Sequence, residues 1–180
     1  MHAVVVYESM YGNTHLVAEA IGGGLGTLGE VDVVSVDRAE LAGAARAELL
    51  IVGGPTHAMS MSRRRTRQWA IAAARKPSST LALDADAGGM GLREWLAKLA
   101  VSSRYVAAFD TRLPSAMSGR ASRRIERELH HHGGRSVAPA ESFVVERSNK
   151  LRLGEVERAY AWGTHLAELL SASSGGKKSA

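Results

Sequence analysis

"VVVYESMYGNTHLVAEAI", Val4 to Ile21, decides the reading of the whole chain. It opens as an apolar run, passes through a short polar turn around one glycine, and continues with apolar residues at helical spacing. β-branched residues dominate Ala3 to Tyr7, which reads as a buried strand. Leu16, Val17, Ala20, Ile21 and Leu25 fall on one face of a helix. Gly22, Gly23, Gly24 and Gly26 are expected to weaken that helix and end it.

The same alternation runs through the rest of the chain. Val31 to Val36 is a second strand, and Asp37 is placed to cap a brief helix through Ala47. Leu49 to Val52 is a third strand, stopped by Gly53-Gly54-Pro55. Ser62 can cap the helix in "SRRRTRQWAIAAARK", Pro77 to Gly91 is loop-like, and Leu92, Trp95, Leu96 and Leu99 mark a short amphipathic helix. Tyr105 to Phe109 is a fourth strand, followed by an Arg-rich helix from Ser118 to His132. Ser136 to Val145 is a fifth, with Pro139 implying a break or an edge position. Val156, Tyr160, Gly163, Leu166 and Leu170 give the closing helix. Strand–helix alternation predicts βαβ units, hence an α/β fold with a three-layer, doubly wound, five-stranded parallel sheet. One domain over residues 1–171 with a flexible tail at 172–180 is expected.

Composition agrees with that fold and excludes several functions. With 45% hydrophobic residues in 180, the chain can fill one core. Apolar runs fall short of the roughly 18 residues of a membrane span, and the first strand leaves no room for a signal peptide. A cytoplasmic protein with no membrane partner is expected. The absence of cysteine excludes disulfides and thiolate chemistry. The net charge is +5, with 18 of the 23 cationic residues being Arg, which suits an acidic partner. Only 5% of residues are aromatic, so no stacking platform for nucleic acid is expected.

In a doubly wound sheet the ligand lies beyond the carboxyl ends of the strands. Three loops therefore carry the function: Glu8 to Thr14, Gly53 to Met61, and Asp110 to Met117. In the first, a strand ends and a helix begins at about Asn13. The unpaired N–H groups of that helix start carry partial positive charge and suit a phosphate. Ser9 and Thr14 add hydroxyls, Asn13 an amide, and Gly12 permits close approach of the backbone. No Lys or Arg lies in the turn, unlike a P-loop, and GxGxxG is missing. A mononucleotide monophosphate matches better than a triphosphate or a dinucleotide.

At this point the chain resembles the flavodoxins. Their first loop has the form [ST]-x-[ST/Y]-G-x-[ST] and wraps the phosphate of FMN; Ser9, Met10, Tyr11, Gly12, Asn13 and Thr14 stand in that frame. "SMYGNT" also looks like the loop of flavodoxin-like quinone reductases. The resemblance implies strand order 2-1-3-4-5 and FMN as cofactor. It places the flavin ring between the loops after the third and fourth strands, at Pro55, Thr56, His57 and Ala58 on one side and Asp110, Thr111 and Arg112 on the other. The sequence departs from the family in having no Trp, Tyr or Phe in either ring loop; His57, Met59 and Met61 are the available substitutes. Weaker flavin binding than in an aromatic-sandwiched flavodoxin follows.

Charge is a second departure. Flavodoxins tend to be acidic, whereas Arg63, Arg64, Arg65 and Arg67 open the helix after the first ring loop. Cations at a helix N-terminus are locally unfavourable, which points to a redox partner of acidic surface or to a phosphate-bearing cosubstrate such as NADPH. Positive charge beside a flavin favours its anionic, fully reduced form. Other clusters carry less. Adjacent His130, His131 and His132 splay by about 100° each on a helix and cannot converge on one ion. Asp84 and Asp86 lack the rest of a calcium loop, and His15 is a first-turn residue near the phosphate turn. The expected function is an FMN-binding electron carrier. An NAD(P)H-dependent FMN quinone reductase and a flavin-free binding or regulatory module on the same fold are the alternatives.

Overall fold

The computed structural model describes residues 1–100, 103–115 and 118–175. Seven strands form one sheet: β1 (His2–Tyr7), β2 (Glu30–Ser35), β3 (Leu49–His57), β4 (Ser60–Met61), β5 (Tyr105–Arg112), β6 (Arg135–Ser136) and β7 (Glu141–Val144). The order is β2-β1-β3-β5-β6, and β7 pairs with β5 further along the same edge. All of these pairings are parallel. β6 and β7 are the two halves of the fifth predicted strand, broken around Pro139, so the predicted order 2-1-3-4-5 stands. β4 is an addition. It pairs antiparallel with the end of β3, His57 opposite Ser60, through a two-residue turn.

The strands are buried on both faces, as parallel strands require. Val4, Val6, Leu50, Val52, Val106 and Ala108 point to one side, where α3 (Leu92–Leu96) and α4 (Ala121–His131) cover them. Ala3, Val5, Tyr7, Leu49, Ile51, Ala107 and Phe109 point to the other, under α1 (Asn13–Gly24) and α5 (Glu155–Gly175). α2 (Arg64–Ala74) packs Ala70 against Met10 and Ala87 beside the carboxyl ends of the strands.

Several local expectations are corrected. No α-helix joins β2 to β3; two 3-10 turns at Val36–Arg38 and Ala44–Arg46 do. The Asp37 carboxylate accepts from the Met90 N–H at 2.8 Å instead of capping a helix. Ser62 is buried and its hydroxyl accepts from Arg67, leaving the N-cap position of α2 to Arg63. Leu16 is 56% exposed, and the buried face of α1 is Thr14, Val17, Ala18, Ile21, Gly22 and Leu25. α5 is likewise rotated: Ala159, Trp162, Leu166 and Leu170 are buried while Val156 and Tyr160 are exposed.

The two helices meet through glycines. Gly24 lies inside α1, and a Cβ there would run into the Tyr160 carbonyl oxygen and the Thr164 nitrogen. A Cβ on Gly163 would strike the Ile21 carbonyl oxygen. These glycines let two helix backbones touch, and α1 ends at Gly24, within the glycine run that the sequence marks as its stop. α5 continues to Gly175, past residue 171, and residues 176–180 lie outside the described ones. Among the described residues, no helix is long and apolar enough to cross a membrane.

Candidate functional site

The turn between β1 and α1 is built by short-range chemistry. Gly12 has φ +86°, and its N–H donates to Ser9 Oγ at 3.0 Å. The first bond inside the helix runs from the Leu16 N–H to the Gly12 carbonyl. The N–H groups of Asn13, Thr14 and His15 therefore precede any intrahelical acceptor and form the positive end of the helix dipole. Thr14 Oγ1 lies 2.8 Å from Thr111 Oγ1, which ties the turn to β5. Asn13 Nδ2 donates to the Asn149 carbonyl at 3.1 Å, which ties it to the β7–α5 loop. Tyr11 Oη donates to the Ala70 carbonyl on α2 at 2.9 Å.

These ties enclose a cleft of about 220 Å³ at the carboxyl ends of β1, β3 and β5. Ser9, Met10, Tyr11, Asn13 and Thr14 form one wall, Pro55, Thr56 and His57 a second, and Thr111 and Arg112 a third. Leu113, Val145 and Asn149 also line it and are not legible as site residues in the sequence. The only available signal is the turn-like "RSNK", where Asn149 adopts φ +60°. Arg112 spans the β5–α4 loop, donating to the Ser115 and Gly119 carbonyls and to Ser118 Oγ, while its buried Nε has no partner among the described residues.

Four residues expected around the ring do not line the cleft. Ala58 sits at the tip of the β3–β4 hairpin with φ +45°, followed by Met59 at φ +73°. Both central residues of this two-residue turn are left-handed although neither is Gly, Asn or Asp. Met59 bridges to Gly119 and is 66% exposed, while Met61 is 3% exposed and packs in the core, so neither methionine faces the cleft. Asp110 is fully buried and turned toward α4, where Oδ2 accepts from the Ser122 N–H at 2.7 Å. Thr56 Oγ1 accepts from the Ala121 N–H at 3.0 Å, so strand side chains cap α4 from outside. Met117 lies outside the described residues.

Burial raises the Asp110 carboxyl's pKa, partly opposed by its hydrogen bonds from Ser122. With the folded value above the unfolded one, the folded state holds the proton longer. Stability is then greatest below the unfolded pKa and falls as pH rises through the folded one. Asn at this position keeps the bond to Ser122 and removes the charge. Asp110→Asn is expected to melt above the parent at pH 7, with the difference closing toward pH 3. Thermal melts across that range check it, and because the side chain faces away from the cleft, ligand affinity should stay within about threefold.

Burial, aided by the charge of Arg67, lowers the His57 pKa, so its ring faces the cleft uncharged at pH 7. Arg63, Arg64 and Arg65 are exposed. Arg67 is not part of that surface. It is 8% exposed and binds Glu94 through two nitrogens, at 3.1 and 3.3 Å. Behind it Glu8, also buried, accepts from the Leu92 N–H at 2.7 Å and caps α3; burial raises its pKa. His15 stacks on Tyr7 at 4.5 Å and turns Nδ1 to Asp84 at 3.4 Å, and it is not among the residues that line the cleft. His130 pairs with Ser136, and His132 with the Leu96 carbonyl, so the histidine run diverges.

Comparison with known proteins agrees with this geometry. The family described as Flavodoxin matches residues 5–142. No curated protein matches the chain. Among solved structures, a flavodoxin from the domain Archaea is similar at 23% identity, with 95% of this chain and 99% of that one covered and a TM-score of 0.66. Oxidised flavodoxin 1 from Bacillus cereus is similar at 17% identity, 93% and 98% coverage and TM-score 0.60. A WrbA-like flavodoxin protein from Agrobacterium tumefaciens is similar at 17% identity, 95% and 98% coverage and TM-score 0.58.

Proposed function

The chain belongs to the flavodoxin family, and from that premise we propose that it binds FMN in this cleft and serves as an electron carrier. FMN supplies the redox chemistry when bound; the protein supplies position and electrostatics. The observation that carries the reading is the open N-terminus of α1, set in a cleft with Ser9, Asn13 and Thr14 as neutral donors. These residues would hold the phosphate. Pro55, Thr56, His57, Thr111 and Arg112 would meet the ring. The residues fit the group: the neutral donor set of Ser9, Asn13 and Thr14 at a helix N-terminus suits one phosphate, with Arg112 on the third wall.

The fit also sets the strength of binding. The cleft is smaller than the ~300 Å³ at which enclosing pockets begin, and of its lining side chains only Tyr11 and His57 carry aromatic rings. Tyr11 Oη is already engaged with α2. The ring would keep one edge in solvent with little stacking, so affinity should fall below that of an aromatic-sandwiched site.

The visible spectrum with added FMN, followed by incubation with NADPH and a quinone, tests the proposal. Flavin bands that shift on binding, with no steady turnover until a partner reductase is added, are expected. Turnover with NADPH alone would make the chain a quinone reductase. Absence of any flavin uptake would make it a flavin-free module on the same fold.

A further inference from the structure

We infer that the mouth of the cleft is a docking face for a protein partner of acidic surface. This rests on the carrier reading only for what the docking would serve. Three large apolar side chains stand exposed around the cleft on three separate elements: Met59 at the hairpin tip, Trp69 on α2 and Leu113 after β5, at 66%, 57% and 48%. A depression of about 340 Å³ lined by His57, Ser60, Arg63, Arg65, Thr66 and Trp69 adjoins the cleft, with His57 on both walls. The exposed apolar groups and the cleft thus form one continuous face. Apolar and aromatic centres rimmed by Arg are the composition of protein interfaces.

The exposed charge at the start of α2 is positive. Among the described residues, no carboxylate pairs with Arg63, Arg64 or Arg65, while Glu94 is taken by Arg67 and Glu128 by Arg124. On α3 and α4 the charge is mixed, with Arg93 set among Arg63, Arg124, Glu94 and Glu128 and donating to the Met61 and Ser62 carbonyls, so the net positive charge lies at the start of α2. These charges cost helix stability at the start of α2, and an acidic partner returns it. A nucleotide cosubstrate fits less well. The Arg65 guanidinium already covers the Trp69 ring at 4.6 Å, the ring face on which a base would stack. Like-charge steering makes the face selective as well as attractive.

The test uses the full chain, with and without FMN, and a fluorescently labelled acidic [2Fe–2S] ferredoxin of the plant type as probe. Anisotropy titrations at about 20 mM and about 300 mM salt bracket the screening range. Binding at low salt is expected to weaken at least tenfold at high salt and at least tenfold in Arg63→Glu/Arg65→Glu. Arg46→Glu/Arg104→Glu changes the same charge at the opposite end of the sheet and should stay within threefold. Arg64→Glu/Arg65→Glu replaces the first pair if that variant fails to fold. Equal losses in the two double variants, absence of probe binding, or equal binding of a basic c-type cytochrome would overturn the docking face. So would direct reduction by NADPH that disappears in Arg63→Glu/Arg65→Glu. FMN titrations of the same proteins separate the two readings: probe binding without flavin uptake sinks the carrier, and flavin uptake without probe binding sinks the face.

Discussion

Asn13→Asp is expected to weaken FMN binding at least thirtyfold while leaving the fold of the apoprotein intact. Asn13 is the first residue of α1, lines the cleft, and donates its amide to the Asn149 carbonyl. Aspartate is nearly the same size but adds a negative charge where the phosphate is proposed to sit. Against a phosphate of nearly two charges, at an effective dielectric of roughly 20–40, that costs about 2–4 kcal/mol. The effects on folding oppose each other. A carboxylate at a helix start contributes about 0.3–1 kcal/mol, and the lost bond to Asn149 costs about 0.5–1.5 kcal/mol. Asn13→Ala removes the amide without adding charge and should lose only a few-fold in affinity. Fluorescence titrations of the two variants, with thermal melts of their apoproteins, separate electrostatics from a lost hydrogen bond. Equal affinities in the two variants would argue that no phosphate approaches the helix.

Gly24→Ala is expected to destabilise the protein by about 2–3 kcal/mol, although alanine favours helix over glycine by about 1 kcal/mol. The new methyl would meet the Tyr160 carbonyl oxygen, the Thr164 nitrogen at 2.8 Å and the Gly163 carbonyl carbon at 3.1 Å. All three are backbone atoms, so no side-chain rotation relieves the contact, and α5 must move. Gly23, one residue earlier, faces outward; its Cβ would touch only the Tyr160 ring, at 3.4 Å. Gly23→Ala should follow propensity and raise stability by a fraction of a kcal/mol to about 1 kcal/mol. Adjacent identical substitutions of opposite sign make the test internal. In a chain of this size, the Gly24 variant should melt on the order of 5–10 °C lower. Two variants shifted in the same direction would remove the glycine seam from the account.

What can be read in the sequence is what depends on neighbours in the chain. The phosphate turn is legible because its strand, glycine, hydroxyls and helix start all act within a few residues of one another. The two faces of β1, β3 and β5 follow from apolar runs, and Pro139 marks the break between β6 and β7. What escapes the sequence depends on distant partners. Asp37 has the chemistry of a cap, yet its acceptor is used by Met90, 53 residues on. Gly22 to Gly24 read as the helix stop that they are, but the close approach of α5 at Gly24 shows only in the fold. The hairpin at Ala58 and Met59 lacks the Asn-Gly type of signal such turns usually carry. The strand continues past Phe109, so Thr111 turns to Thr14 of α1 while Asp110 and Arg112 share the opposite face, where Asp110 is taken by α4 and only Arg112 reaches the cleft lining. Arg67 belongs by sequence to an exposed cluster, and only the fold shows Glu94 holding it inside.

Titrating FMN with the full chain and following quenching of the flavin fluorescence tests the central claim most directly. Saturable one-to-one quenching, weakened at least thirtyfold by Asn13→Asp and within about threefold of the parent for Asp110→Asn, is the predicted result. Undiminished flavin fluorescence at large protein excess would contradict it, as would equal losses in the two variants.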